Sequence, residues 1–154
     1  IDDLLAKLPE TPLEDADLAV VREPMIALLN LVRVKNISIS RATKVLYPFR
    51  PALLAVLDSV VENYYWYGTS ITDETRFRRL ECAPTWGAYG FELLVLLRED
   101  VRAARDAIDE IRNAVAPEPY ARASRVRVVE SLIWWYYQRR GKRPGGAPGR
   151  DEDE

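Results

Sequence analysis

The sequence predicts an all-α protein, built as an N-terminal bent helical hairpin arm followed by a C-terminal helical bundle. Three observations predict it. Apolar residues recur three and four apart over long stretches, which places them on one face of a helix. Alternation at period two is weak, and neither Asn-Gly nor Asp-Gly, the strongest short hairpin signals, occurs. Prolines and glycines fall largely between the periodic stretches, where they end helices.

Residues 1–12 read as a short amphipathic turn or arm closed by Pro9 and Pro12. A helix is predicted from about Leu13 to Val34, with Glu14, Asp15 and Asp17 in its first turn, where acids suit the dipole. Pro24 lies inside it and predicts a kink near Arg22 and Glu23. Residues 35–39 form a connector, Ser40 is placed to cap the next helix, and Pro48 and Pro51 interrupt that helix. An apolar helix is predicted from Pro51 to about Tyr67, with Gly68 as its stop, so the two make a bent αα-hairpin.

The segment 69–90 is the least regular, with one short helix around Asp73–Cys82 and a turn bracketed by Gly87 and Gly90. Phe91–Val115 carries the clearest helical pattern, through Leu93, Leu94, Leu97, Val101, Ala104, Ile108, Ile111 and Val115. On its other face Arg102 with Asp106, and Arg105 with Asp109, are spaced to pair. Pro117 and Pro119 break the chain, and a last helix runs from about Tyr120 to Arg140, ended by Gly141. The organisation read from this is an arm and hairpin (1–50), a helical core (51–141) and a Gly/Pro-rich tail with an acidic end (142–154).

Composition narrows the function. There is no histidine, which removes the commonest general base, the commonest metal ligand and every Ser-His or Cys-His nucleophile. Cys82 is the single cysteine, so no disulfide framework or cysteine metal site forms within one chain, and the thiol reads as buried and inert. We predict a non-enzyme with no metal, no cofactor and no small-molecule substrate. No apolar run approaches the roughly 20 residues that cross a bilayer, no intact signal peptide is read, and the Ile at position 1 predicts a processed or trimmed start. One Gln, four Asn, one Met and 30% charged residues, with Arg far above Lys, point to a hot environment.

Net charge is −2, so any attraction to nucleic acid must come from how charge is distributed. From Pro24 to Leu57 the chain holds five bases and no Asp or Glu, while 24 acids fall elsewhere. Bases alternate there with hydrogen-bonding side chains, the mixture that tracks phosphates. The candidate nucleic-acid contacts are Asn30, Arg33, Lys35, Asn36, Ser38, Ser40, Arg41, Thr43, Lys44, Tyr47 and Arg50. The same stretch also reads as an apolar hairpin within a core or dimer interface, or as the mate of an acidic protein. With no zinc-finger or RNA-recognition spacing, binding is expected to ignore sequence. Two aromatic runs, Tyr64, Tyr65, Trp66, Tyr67 and Trp134, Trp135, Tyr136, Tyr137, each surround a helix and are expected at a subunit interface.

The acid-free hairpin followed by aromatic-rich helices from Pro51 to Arg140 resembles the α-helical major capsid proteins of filamentous and rod-shaped DNA viruses of hyperthermophilic archaea. The two-coat-protein filamentous type, with Pyrobaculum-like hosts, is the nearest in pattern. The resemblance implies a structural protein of the virion that wraps double-stranded DNA, in A-form, and assembles with itself or a homologous coat protein into a helical filament. A lipid envelope is a further contact in that group. The acidic start of this chain departs from a wholly basic arm. Rival readings are a dimeric helical DNA-binding regulator in the cytoplasm or nucleoid, and a helical protein–protein scaffold.

Overall fold

Among residues 1–32, 37–68, 74–115 and 123–140, which the computed structural model describes, eight α-helices form and no strand does. They are α1 (Asp2–Leu5), α2 (Leu18–Val32), α3 (Ile39–Leu46), α4 (Ser59–Asn63), α5 (Glu74–Glu81), α6 (Trp86–Ala103), α7 (Arg105–Val115) and α8 (Arg125–Arg140). A 3₁₀ turn, Tyr47–Phe49, extends α3, and a π turn, Tyr64–Gly68, extends α4.

Helix α6 is the axis of the core, because Leu93, Leu94, Leu96, Leu97 and Val101 bury completely or nearly so. Helix α2 lies against it through a glycine notch. A Cβ at Gly87 would sit 2.4 Å from the Ile26 carbonyl oxygen, and one at Gly90 would sit 2.6 Å from the Ile39 side chain. The turn predicted between these glycines does not form. They lie inside α6, and their role is to let neighbouring elements approach.

The N-terminal segment belongs to the same core and does not stand apart as an arm. Leu5, Leu8, Leu13, Ala16, Val21 and Met25 join one hydrophobic cluster that continues to Ile133. Three arginines from distant helices and loops hold it. Arg50 donates to the carbonyls of Leu5 and Leu8 at 3.0 and 3.3 Å, and Arg98 donates to those of Leu13 and Ala16, both at 3.1 Å. Arg125 grips Asp109 through two bonds of 2.7 and 2.8 Å and reaches the buried Glu14 at 2.9 Å. Helix α2 accordingly begins at Leu18, where Asp17 accepts the Ala19 N–H at 2.9 Å.

The predicted helix 51–67 is mostly absent. Residues 51–58 form a non-helical strap, and only Ser59–Asn63 is α-helical. Leu53, Leu54, Ala55 and Leu57 are fully buried, so the strap's backbone donors need acceptors inside the protein. Leu57 N–H donates to Thr43 Oγ1 at 3.0 Å, and Val56 N–H donates to the Glu130 carboxylate. The Arg50 carbonyl accepts from Leu53 and Leu54. The strap thus lies between α3 and α8, each of which supplies one acceptor. It ends at Asp58, whose Oδ1 accepts the Val60 and Val61 N–H groups and starts α4.

The predicted helix 91–115 is two helices. Ala104, at φ −108° and ψ 17°, separates α6 from α7 and resets the register. The ion pairs change with it: Arg105 binds Asp15 at 3.1 Å, while Asp109 binds Arg112 and Arg125. Cys82 is exposed, against the expectation of a buried thiol. Among the described residues no helix is long and apolar enough to cross a membrane.

Candidate nucleic-acid interface

Helix α3 organises the candidate site. Ser38, in extended backbone geometry, accepts the Arg41 N–H at 3.5 Å and caps the helix, two residues ahead of the Ser40 expected to do so. Ile39, Ala42, Thr43 and Leu46 turn inward, which leaves Arg41, Lys44 and Val45 exposed. The exposed residues at the start of α3 therefore carry positive charge and a helix N-terminus together.

The eleven candidate contacts separate into groups. Ser38 and Arg41 are exposed at the start of α3 and Lys44 in its last turn, with Ser40 partly so. Arg33, Lys35 and Asn36 lie outside the described residues. Thr43 is fully buried; its hydroxyl donates to the Ile39 carbonyl at 2.8 Å while accepting from the strap, so it cannot meet a phosphate. Arg50 is engaged with the N-terminal carbonyls. Asn30 accepts the Gly87 N–H at 2.7 Å and completes the capping of α6 begun by Thr85. Tyr47 is half-buried against α8, where burial and the Glu130 charge raise its pKa, opposed by Arg127 and a hydrogen bond with Ser124. Polar residues in this stretch look alike in sequence, and only the partners each finds in the fold separate structural ties from surface contacts.

The aromatic runs, expected at a subunit interface, pack for the most part against each other. Tyr64 meets Tyr65, Tyr136 and Tyr137 edge-on, at centroid distances of 5.1, 6.4 and 6.4 Å. Trp66 donates to the Tyr89 hydroxyl at 2.7 Å, and Tyr137 donates to the Asn63 carbonyl at 3.2 Å. The Tyr67 side chain is outside the described residues. Trp134 and Trp135 differ from the rest, being 41% and 55% exposed. Arg139 covers the ring of Trp135 at 4.7 Å.

Glu130, Arg127 and Asp58 also shape this face, and no spacing rule points to them. Glu130 is buried to 1% and binds Arg127 at 2.7 Å as well as the strap, and burial raises its pKa. Asp58 accepts the Trp134 indole N–H at 2.8 Å. The available signals are an acid inside the apolar Val128–Ile133 run and an Asp following an apolar stretch, which is a cap pattern. Elsewhere, Thr75, Arg78, Arg79 and Cys82 line an open depression of about 500 Å³, where Arg79 pairs with Glu99 at 2.7 Å. No group of His, Cys, Asp or Glu among the described residues is arranged to hold a metal ion.

Residues 1–137 match the model of DUF6308, a family of unknown function, and the chain belongs to that family. No curated protein and no solved structure matches the chain.

Proposed function

We propose that this protein binds the phosphate backbone of double-stranded DNA without reading its sequence, through the corner where α3 begins. The observation that carries this reading is how the acid-free stretch divides between core and surface. Its buried members need no special explanation, since a core excludes carboxylates. Its exposed members include Asn30, Ser38, Arg41, Lys44, Val45, Pro48 and Phe49, and none is acidic. Exposed positions elsewhere hold acids freely, among them Asp2, Asp3, Glu10, Asp15, Asp17, Glu81 and Glu110. A surface kept clear of carboxylates, with Arg41 near the N-terminus of α3 and Lys44 in its last turn, suits a polyanion.

The test is fluorescence anisotropy with duplexes of unrelated sequence. We expect equal affinities that fall steeply with salt, and a loss of binding on Arg41→Glu with Lys44→Glu while helical circular dichroism is unchanged. Lys44→Gln alone should lower the log–log salt slope by about 0.9 for every phosphate that Lys44 neutralises. Unaltered binding in the double variant would sink the proposal.

A coat-protein role would add assembly between copies, and one observation favours it. On α2, Val20, Pro24, Ala27 and Leu31 are spaced four, three and four apart; Val20 and Leu31 are 59% and 54% exposed. This is an apolar stripe of the kind helices bury against one another. Because the described part of residues 1–50 packs into the core, such a coat would lay DNA against a folded subunit. Electron microscopy with and without duplex DNA tests it: ordered nucleoprotein filaments support the role, and isolated particles in both samples refute it.

A further inference from the structure

The exposed face of α3 does not stop where that helix ends. Tyr47, at φ −49° and ψ −45°, carries the helical backbone into the 3₁₀ turn Tyr47–Phe49, so the two form one short rod. Along it Arg41, Lys44, Val45, Pro48 and Phe49 are spaced three, one, three and one apart, which places them on one face. All five are exposed, while Ala42, Thr43 and Leu46 between them are buried. The face begins in the cations Arg41 and Lys44 and ends in an apolar tip of Val45, Pro48 and Phe49. Along the rod axis Lys44 and Arg41 lie roughly 9 and 13 Å from Phe49.

The backbone of this tip is held on every side. The ring of Pro48 fixes its own φ, and the Arg50 N–H donates to the Tyr47 carbonyl at 3.2 Å. The Arg50 guanidinium donates to the Phe49 carbonyl at 2.8 Å, and is itself anchored on the Leu5 and Leu8 carbonyls. Phe49 is nevertheless 54% exposed, and Val45 64%. Rings exposed to that extent add little to a core. The chain thus fixes the backbone beneath an aromatic side chain that it leaves largely in water.

We propose that Phe49, backed by Pro48 and Val45, is a wedge that enters between two base pairs of a duplex from the minor groove and bends it. Arg41 and Lys44 then meet phosphates along the same groove. The inference rests on the nucleic-acid reading above and adds to it a deformation of the DNA. Charge complementarity favours this occupant. Among the described residues, Glu10 and Arg50 both line the hollow beside Phe49 and offset one another, so Arg41 and Lys44 leave the face positive. Rigidity favours it too, because unstacking already costs a few kcal/mol, and a loose loop would add the cost of its own ordering. A bilayer is served less well, since three apolar side chains at the end of an eight-residue helix bury little area in lipid. A wedge reads no base edges, which agrees with the lack of base-reading side chains.

The test uses the full chain and a duplex of about 20 base pairs, the length of a bent site, with a dye at each end. Binding should raise energy transfer between the dyes, because a kink of roughly 20–90° brings the ends together. Phe49→Ala should abolish that rise yet weaken binding only about tenfold or less, since the lost contacts are offset by unstacking no longer required. Phe49→Leu, which keeps an apolar wedge, should retain the bend; thermal melts of both variants report folding. A central mismatch lowers the cost of unstacking, so it should tighten native binding several-fold and leave the Ala variant unaffected. If the duplex is bound without bending, if the Ala variant bends it equally, or if the mismatch helps both proteins alike, the wedge fails and the backbone reading stands. If no duplex binds, both fail. If Phe49→Ala instead abolishes binding to anionic phospholipid vesicles, or a concentration-dependent self-association seen in sedimentation, the tip belongs to that contact and the proposal is overturned.

Discussion

Replacing Glu130 separates two roles that one carboxylate combines. Its Oε1 accepts the Val56 N–H of the strap, and its Oε2 accepts from Arg127, all at 1% exposure. Glu130→Ala leaves the Val56 donor without a partner, at about 1–3 kcal/mol. It also removes one buried methylene group, at about 0.8 kcal/mol. The Arg127 side chain is 48% exposed and regains water, so that bond adds roughly 0–1 kcal/mol. A total near 3 kcal/mol is expected at neutral pH. Glu130→Gln keeps an acceptor for Val56 and removes the buried charge, so its effect depends on pH. Burial raises the folded pKa of Glu130 above the unfolded value of about 4.3. Native stability from this group is therefore complete below that value and is lost as pH rises through the folded one. The loss is about 1.4 kcal/mol for each unit between them. Urea midpoints measured at pH 4 and pH 7 should show the Gln variant gaining on the native protein as pH rises, with the Ala variant well below both at pH 7. A Gln variant that loses ground between pH 4 and pH 7 would show that pairing with Arg127 outweighs desolvation, and would overturn this account of the carboxylate.

Other consequences of the same bonds are open to measurement. Thr43→Val preserves shape but removes the acceptor for Leu57, and should cost about 1–3 kcal/mol by urea denaturation; Thr43→Ser, which keeps the hydroxyl, should cost clearly less. Gly87→Ala puts a methyl group against the Ile26 backbone carbonyl, which cannot swing aside as a side chain would, so the melting temperature should fall by several degrees for each kcal/mol of strain. Arg125→Met strands Glu14, which is 2% exposed, and should destabilise by about 3–5 kcal/mol. Adding Glu14→Gln should return a large part of that loss in a double-mutant cycle.

Helices whose apolar residues face one common core are legible from spacing alone. The body of α6 lies where periodicity places it, α5 falls within the short helix read around Asp73–Cys82, and α8 differs only at its start. The strap defeats that reasoning for a physical reason. An unbroken apolar run such as Ala52–Leu57 suits a buried helix or a buried extended segment equally well. What decides between them is who accepts the backbone hydrogen bonds, and here the acceptors are Thr43 and Glu130, 14 and 74 residues away in sequence. Gly87 and Gly90 fail similarly, because a glycine needed for helix contact and one needed for a turn are the same letter. The split at Ala104 has no breaker residue to announce it. Arg105 and Arg125 instead carry their charges to Asp15, Asp109 and Glu14 in a way that only the folded chain displays.

The acid-free stretch shows how one sequence signal can have two causes. Met25, Leu28, Leu29, Leu46, Leu53, Leu54 and Leu57 are buried essentially to zero, and a carboxylate at any of them would carry a heavy desolvation cost. Core packing thus accounts for much of the gap. It accounts for none of it at Ser38, Arg41, Lys44, Val45 and Phe49, which are exposed and tolerate acid sterically. Stability alone would place no bar on Glu at Lys44 or Val45, near the C-terminal end of α3, beyond a few tenths of a kcal/mol against the helix dipole. It would mildly favour acid near Ser38 and Ser40 at the opposite end. The absence of acid where the dipole would welcome it is therefore the part of the pattern that folding leaves unexplained. A polyanion seated at the start of α3 explains it, because that position offers the most to a phosphate and would be the first spoiled by a carboxylate.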